Sequence, residues 1–433
     1  MTRSDAAPAI PGAISVKDDW EIKRLKWSVE SVKNGVWGDD PIGNANDIKC
    51  IRVADFNRVK MLVVDIPTIR NVRKSDRNGR LVLPGDLLLE KSGGGEVQPV
   101  GAVAMYLGEE PAVCSNFVAR VSCAPNTDGR FFLYVHAALY SSRINVRSIK
   151  QTSGIQNLDA NAYLSEFVAY PPIAVQRDIA DFLDRETAEA DAFVAKYERL
   201  IELLEEKRVA LITQAVTKGL DSSVPMRDSG VEWVGEVPHD WKVLSLRRIL
   251  NTRSGSLLPA DIHGEYQDSD ITVYGSTEVI GYTSSPPNLI SDAVLLARVG
   301  QYAGKVSLAK APGWVSDNAL IVKFDTTLIS IKFAMLLLRS LNLNDYATKT
   351  AQPLLTGSTV KAQAAPLPPL DAQASIVGFV DIQESRIEAL KIKAQEAIML
   401  LRERRSALIT AAVTGQIDVT TSRSKKQHVE VFS

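Results

Sequence analysis

The chain has 433 residues, with 50 Lys and Arg against 51 Asp and Glu for a formal net charge of −1, and 45% of its residues are hydrophobic. That balance supports roughly two to four ordinary buried cores and excludes a disordered chain. No apolar run approaches the ~18 to 20 residues of a membrane span, and the opening MTRSDAAPAIPGAISV lacks a basic stretch followed by a long apolar one, so a soluble cytoplasmic protein is expected. Cys50, Cys114 and Cys123 show no CxxC spacing and no histidine close behind, so neither a zinc knot nor a disulfide framework is expected; they read as buried free thiols.

Residues 1–169 form a first lobe. It opens on Asp19-Trp20 and carries eight basic against three acidic residues between Arg52 and Arg80, clustered in RNVRKSDRNGR. Arg70, Arg73, Lys74, Arg77 and Arg80 are the candidates there for tracking phosphates; charge alone equally allows a solvated loop. A turn and strand follow from Arg80 to Glu90, then the glycine-rich Lys91-Ser92-Gly93-Gly94-Gly95. Residues 170–221 form a helical segment of about −4 net charge. Residues 222–366 form a second lobe, opening on Asp240-Trp241 and containing a strand and glycine turn, AVLLARVGQYAGKV, from Ala293. A second helical segment at 367–418 and a polar tail at 419–433 complete the chain.

The two helical segments are copies. Pro171–Asp221 and Pro368–Asp418 align without a gap, with roughly 20 of 51 positions identical, most densely in KRVALITQAVT against RRSALITAAVT. Ile179, Leu183, Ala190, Phe193, Tyr197, Leu200, Leu204 and Leu211 give a seam for one coiled-coil partner, as do Ile376, Val380, Ile387, Leu390, Ala394, Ala397, Leu401 and Leu408. The paired prolines stop backward extension, and Gly219 and Gly415 sit where a helix should end. Each helix of about 44 residues is a rod of roughly 65 Å, longer than a lobe of about 145 residues is wide. The second lobe should therefore leave one helix and enter the next near the same end, which makes the helices antiparallel and returns the C-terminus beside the first lobe. The expected fold is α+β: two β-rich globular lobes separated by two long antiparallel coiled-coil helices, with pseudo-two-fold symmetry.

Chemistry is not visible. Gly300 to Lys305 is one residue short of a phosphate-binding loop, has Val306 in place of the hydroxyl that would hold magnesium, and precedes a strand. Asp86, Glu90 and Lys91 could suggest a nuclease, but Glu90 and Lys91 are adjacent and so face opposite sides of a strand. His136, His239, His263 and His428 show no metal-ligand spacing, and no G-x-S-x-G elbow occurs. No catalytic or metal-binding residue is assigned.

The chain resembles the specificity subunits of type I restriction-modification enzymes. The resemblance rests on PPIAVQRDIADFL and PPLDAQASIVGFV opening the helices and KRVALITQAVTKGLD and RRSALITAAVTGQID closing them. It rests also on Met226–Trp241, on PGDLLLEKSGGG and Cys114-Ser-Asn116-Phe117 in the first lobe, and on VYGS, RVGQYAGKV and Ser316-Asp317-Asn318 in the second. The resemblance implies that each lobe is a target-recognition domain reading one half of a bipartite double-stranded DNA site. It implies that the helices dock two methyltransferase subunits and set the spacer, and that restriction (translocase) subunits join through the complex. S-adenosylmethionine, ATP and Mg are then expected on the partners, with no cofactor in this chain. Candidate DNA contacts are Ser92, Gly93 and Gly94, where the backbone can approach a groove, and Tyr274, Ser276, Arg298, Tyr302, Lys305 and Gln352; for each, a turn or folding role stays open. The competing readings are a coiled-coil adaptor whose lobes bind proteins, and a fused DNA methyltransferase or nuclease, for which the N/D-P-P-Y/F and F-x-G-x-G motifs are missing.

Overall fold

The structure is a computed structural model that describes residues 9–10, 20–151, 154–349 and 352–419. Asp19, most of the opening segment, His428 and all of the tail beyond Val419 lie outside the described residues. The chain divides into two compact units, residues 1–197 with 396–433, and residues 198–395.

In the first unit, β1 (Glu21–Arg24) leads through a 3-10 turn into β2 (Val29–Asn34). There follow β3 (Asp47–Ile51), β4 (Leu62–Val63), β5 (Ile69–Asn71), β6 (Leu87–Glu90), β7 (Ser92–Gly93), β8 (Val103–Tyr106), β9 (Val113–Cys114) and β10 (Val118–Cys123). Helix α1 (Gly129–Ser141), β11 (Ile149–Gln151), β12 (Gln156–Leu158), α2 (Ala160–Tyr163) and β13 (Phe167–Tyr170) lead into the long helix α3 (Ile173–Lys218). The main sheet has the order β2-β10-β6-β8-β4. Its central strand β6 is buried along its whole length, and so reads as a continuous apolar run rather than an alternation. A mixed sheet, β5-β3-β9, pairs β3 antiparallel with β5 and parallel with β9. Cys50 and Cys114 are buried and Cys123 half-buried, all unpaired; burial pushes these thiols up to about 11, 12 and 11 respectively, which keeps them protonated and inert.

In the second unit, a hairpin of β14 (Met226–Asp228) and β15 (Glu236–Pro238) precedes β16 (Lys242–Ser245), β17 (Leu250–Ser254), β18 (Ile271–Tyr274) and β19 (Val279–Thr283). Then come β20 (Ala293–Ala297), β21 (Val306–Ala309), β22 (Gly313–Val315), β23 (Ala319–Phe324), α4 (Ile331–Ser340), α5 (Gly357–Ala362), β24 (Ala364–Leu367) and the long helix α6 (Leu370–Val413). The sheet orders are β17-β23-β20-β21 and β19-β18-β22, the latter again antiparallel on one side and parallel on the other. Topology therefore repeats where sequence similarity fades. Even register is kept: Glu21 lies opposite Tyr170 and Arg24 opposite Phe167, as Lys242 lies opposite Leu367 and Ser245 opposite Ala364.

The helices run antiparallel within each unit. Ile179, Ala180 and Leu183 from the start of α3 share a core with Ile409, Ala412 and Val413 from the end of α6. In the other unit Ile212, Ala215 and Val216 from the end of α3 share one with Ile376, Val377 and Val380 from the start of α6. The expected stops hold: Gly219 and Gly415 both have φ of +74°, a left-handed conformation that a side chain resists. Each glycine also lies under a tryptophan, Trp241 and Trp20 respectively, with a hypothetical Cβ only 3.2 Å from the ring. The end of α6 thus packs against the start of the first lobe. Parts of the expected seam are corrected, because Phe193, Leu200 and Leu390 are 44%, 40% and 50% exposed. Their neighbours Val194, Ile201 and Lys391 turn inward instead. Long helices drift against a strict heptad, and polar groups share the interface: Lys391 pairs with Glu205, Arg208 with Glu384 at 2.8 Å and Arg405 with Asp191 at 3.2 Å.

One buried glutamine per unit locks helix to lobe. Gln176 Oε1 accepts the backbone N–H of Asp128, the cap of α1, at 2.9 Å, while its Nε2 donates to Pro171 O at 2.8 Å. Gln373 accepts from the backbone N–H of Ser330, the cap of α4, at 2.8 Å and donates to Pro368 O at 2.9 Å. Both side chains are fully buried, so replacing either by leucine strands backbone groups away from water. Gln176→Leu and Gln373→Leu should each cost about 2 kcal/mol or more, measured by thermal or denaturant unfolding against the exposed control Gln214→Leu. Variants no less stable than that control would contradict the lock.

Candidate nucleic-acid interface

The first lobe carries a cleft of about 1170 Å³. Four loops make it: the one after β2 with Trp37, the one after β3 with Arg52 and Val53, the glycine turn Ser92–Gly95 with the segment after it, and Ser115–Phe117 between β9 and β10. Two sequence motifs far apart in the chain, EKSGGG and CSNF, thus meet across one opening. Gly93 and Gly94 have φ of +119° and +65°, and a Cβ on Gly94 would lie 2.5 Å from the Val100 nitrogen, so the turn demands glycine at that point. Ser92 Oγ donates to Asn157 Oδ1 at 2.6 Å. Trp37 and Phe117 are 38% and 44% exposed, which makes them apolar surface inside a polar rim.

Glu90 lies in the wall of the cleft. It is 1% exposed and holds Arg58 through both carboxylate oxygens at 2.9 and 3.0 Å. Burial raises its pKa, and Arg58 partly opposes the rise. Asp86 accepts the backbone N–H of Leu83 at 2.7 Å and pairs with Arg120 at 2.7 Å, so it braces the turn. Among the described residues no group of three His, Cys, Asp or Glu is placed to hold a metal ion.

The five basic candidates before the cleft separate. Arg70 is bound to the Gly38 carbonyl at 3.0 Å, paired with Asp40, and stacked 4.6 Å from the Trp37 ring centroid. Arg77 donates to Val72 O at 2.9 Å, and Arg80 to Asn34 O at 3.1 Å and Asp76 O at 2.9 Å. These three brace loops with part of each guanidinium. Arg73 is exposed and paired to Asp76 at 3.0 Å, and Lys74 is exposed. None of the five lines the cleft.

The second lobe builds its loops at the same places. The register of β18 against β22 matches that of β3 against β9, which puts Tyr274 where the first lobe has Ile51 and Ser276 where it has Val53. Tyr274 Oη exchanges bonds with the backbone of Lys310, at 3.2 and 3.0 Å, so it is anchored; Ser276 is half-buried. Gly300–Tyr302 is a single 3-10 turn and Val306 opens a strand, unlike a nucleotide-binding loop. Tyr302 is 56% exposed with Lys305 Nζ 5.7 Å from its ring centroid. Gln352 is exposed beside Pro353, whose carbonyl accepts the Gly300 N–H at 2.9 Å.

Comparison with known proteins agrees with this architecture. Residues 238–398 match the model for the type I restriction modification DNA specificity domain. This segment belongs to that family. The chain is 26% identical over 257 residues to the type I restriction enzyme EcoBI specificity subunit of Escherichia coli, an alignment covering 56% of this chain and 49% of that relative. The chain therefore spans about half the length of that relative. The StySPI specificity subunit of Salmonella potsdam is 21% identical over 336 residues, covering 73% of this chain and 68% of its own length. A chain from a structural study of type I R-M complex assembly and conformational transition superposes with a TM-score of 0.71 at 13% identity, covering 93% of this chain and 99% of its own. The HsdS subunit of Thermoanaerobacter tengcongensis gives 0.52 at 14%, covering 94% and 99%. The fold of the type I specificity subunits is shared along almost the whole chain.

The Arg58–Glu90 pair makes the cleft wall sensitive to pH in one direction. Arg58→Met removes the charge that holds the Glu90 pKa down, so that pKa rises further above its unfolded value. Folding then takes up a proton, and stability falls as pH rises from the unfolded carboxylate range through the folded value. The variant should lose about 3 kcal/mol near pH 8 and less near pH 5, and Glu90→Gln added to it should restore part of the loss, read from unfolding midpoints. A pH-independent deficit would show that the pair contributes only packing.

Proposed function

We propose that the protein is the non-catalytic, sequence-specific DNA-binding subunit of a type I restriction-modification enzyme, working in the cytoplasm. Residues 1–169 and 222–366 each read one half of a bipartite double-stranded site. The helical segments 170–221 and 367–418 dock two methyltransferase subunits and fix the spacer between the half-sites, and restriction subunits join through the complex. S-adenosylmethionine, ATP and Mg serve on those partners. No helix of the described residues is long and apolar enough to cross a membrane.

One observation carries this reading: two lobes share sheet order and register, yet the loops at corresponding positions hold different side chains. Like frameworks joined to like helices suit two copies of one partner, while unlike loops suit two unlike half-sites. Ser92, Gly93 and Gly94 stand at the opening in the first lobe. Arg298, Tyr302, Lys305, Tyr274, Ser276 and Gln352 are the candidates in the second. Arg70, Arg73, Lys74, Arg77 and Arg80 are the phosphate candidates of the basic loop.

Mapping adenine methylation in a host with and without the gene tests the proposal: one split motif should disappear with the gene, and an unchanged map would contradict it. Purified alone, the chain should neither methylate nor cut DNA. The ruler role has its own test. Matched four-residue insertions after Lys196 and after Glu396 lengthen each helix by about 6 Å, one to two base-pair rises of about 3.4 Å. The half-sites should stay the same and the spacer should lengthen by one or two base pairs, whereas an unchanged spacer at full activity would show that the helices serve docking alone.

A further inference from the structure

We infer that Lys91 and Arg298 are a matched pair of phosphate clamps, one per lobe, which hold the DNA backbone while their differing neighbours read the bases. The inference rests on the proposed DNA-reading function and adds the division of labour within each lobe.

The two residues occupy one position in a repeated frame. Lys91 follows β6 and Arg298 follows β20. The Lys91 N–H donates to Phe117 O at 2.8 Å and the Arg298 N–H to Asn318 O at 3.1 Å, in the corresponding loop of each lobe. The Lys91 carbonyl accepts from the Leu158 N–H at 2.8 Å and the Arg298 carbonyl from the Leu355 N–H at 2.7 Å. Even the side chains are held alike. Lys91 Nζ donates to Asn34 Oδ1 at 2.6 Å, and Arg298 Nη1 to Ser254 Oγ at 2.7 Å. Asn34 and Ser254 end β2 and β17, each directly before a glycine, Gly35 or Gly255, whose Cβ would lie 2.1 Å from a carbonyl of the facing loop.

Charge separates these two from five arginines near the loops of the first lobe. Arg52, Arg58, Arg70, Arg73 and Arg120 each face a carboxylate. Lys91 and Arg298 form no ion pair with any described residue; their side-chain partners are neutral oxygens, and Arg298 Nε is buried without a hydrogen-bond partner. A cation pre-positioned by a neutral oxygen keeps its full charge for an anion. The surroundings differ: Ser92 and Asn116 in one lobe correspond to Val299 and Asp317 in the other. A contact common to two readers of different sequences carries no sequence information, so the shared cation suits the phosphate and the variable neighbours suit base edges.

The test uses the full-length protein and a 40-base-pair duplex of mixed sequence, with affinity measured across salt concentration. Lys91→Met and Arg298→Met should each lower the slope of log affinity against log salt by about 0.9, and the double variant by about 1.8. Lys91→Arg, Arg298→Lys and Asn34→Ala keep the charge and should keep the slope. In the host, Lys91→Met should leave the methylated sequence unchanged. An unchanged slope in the methionine variants would overturn the clamp, and so would relaxed specificity at a single base pair, which would make the residue a base reader. Failure of the unaltered protein to bind any duplex, alone or with its partners, would instead overturn the DNA-reading function beneath it.

Discussion

The antiparallel meeting of two helix segments from distant parts of the sequence is the constraint on which each unit depends. A lobe of this size exposes the edge of its core where β1 and β13 lie, and neither helix start alone covers it. Ile179 and Leu183 enter beside Tyr163 and Val168 in the same cluster as Ile409 and Val413. The other unit repeats the arrangement with Ile212 and Val216 against Ile376 and Val380. The first lobe is thus completed by residues more than 200 positions further along the chain, and the second by the two helix ends that flank it.

One polar contact and one close packing contact make that closure specific. Gln176 and Gln373 tie the helix start to the cap of the lobe's own helix, and left-handed glycines let Trp20 and Trp241 lie on the helix ends. Apolar packing alone would tolerate a shifted helix; a buried glutamine satisfying one donor and one acceptor does not, because a shift leaves both unpaired.

The helices were legible in the sequence because 3-4 spacing, paired prolines and terminal glycines act locally. Their exact faces were less so: Phe193, Leu200 and Leu390 look like seam residues by spacing, yet a pairing that admits Lys391, Arg208 and Arg405 turns them outward. The lobes were legible mainly as strands and turns. Their common topology was not, since it lives in long-range pairings such as β3 with β9 and β18 with β22, where the residues bear no likeness. The basic loop showed its charge but not its use, because Arg77 and Arg80 bind backbone carbonyls that only the fold brings near. Lys91 stands out in the sequence only as the neighbour of Glu90. Its signal was present in the dipeptides Asn34-Gly35 and Ser254-Gly255, which follow Trp20 and Trp241 at nearly the same distance.

Frame and loops therefore carry different burdens. Glycines, glutamines and register define where each loop stands, and substitution there costs stability. The side chains on those loops differ between the lobes, as the proposed reading of two unlike half-sites requires. Exchanging residues 1–168 for the corresponding lobe of a homologue of different specificity, followed by mapping of adenine methylation, is the most direct test. The account predicts that one half-site changes while the other half-site and the spacer stay as they were; a simultaneous change in both half-sites would show that the lobes do not read independently.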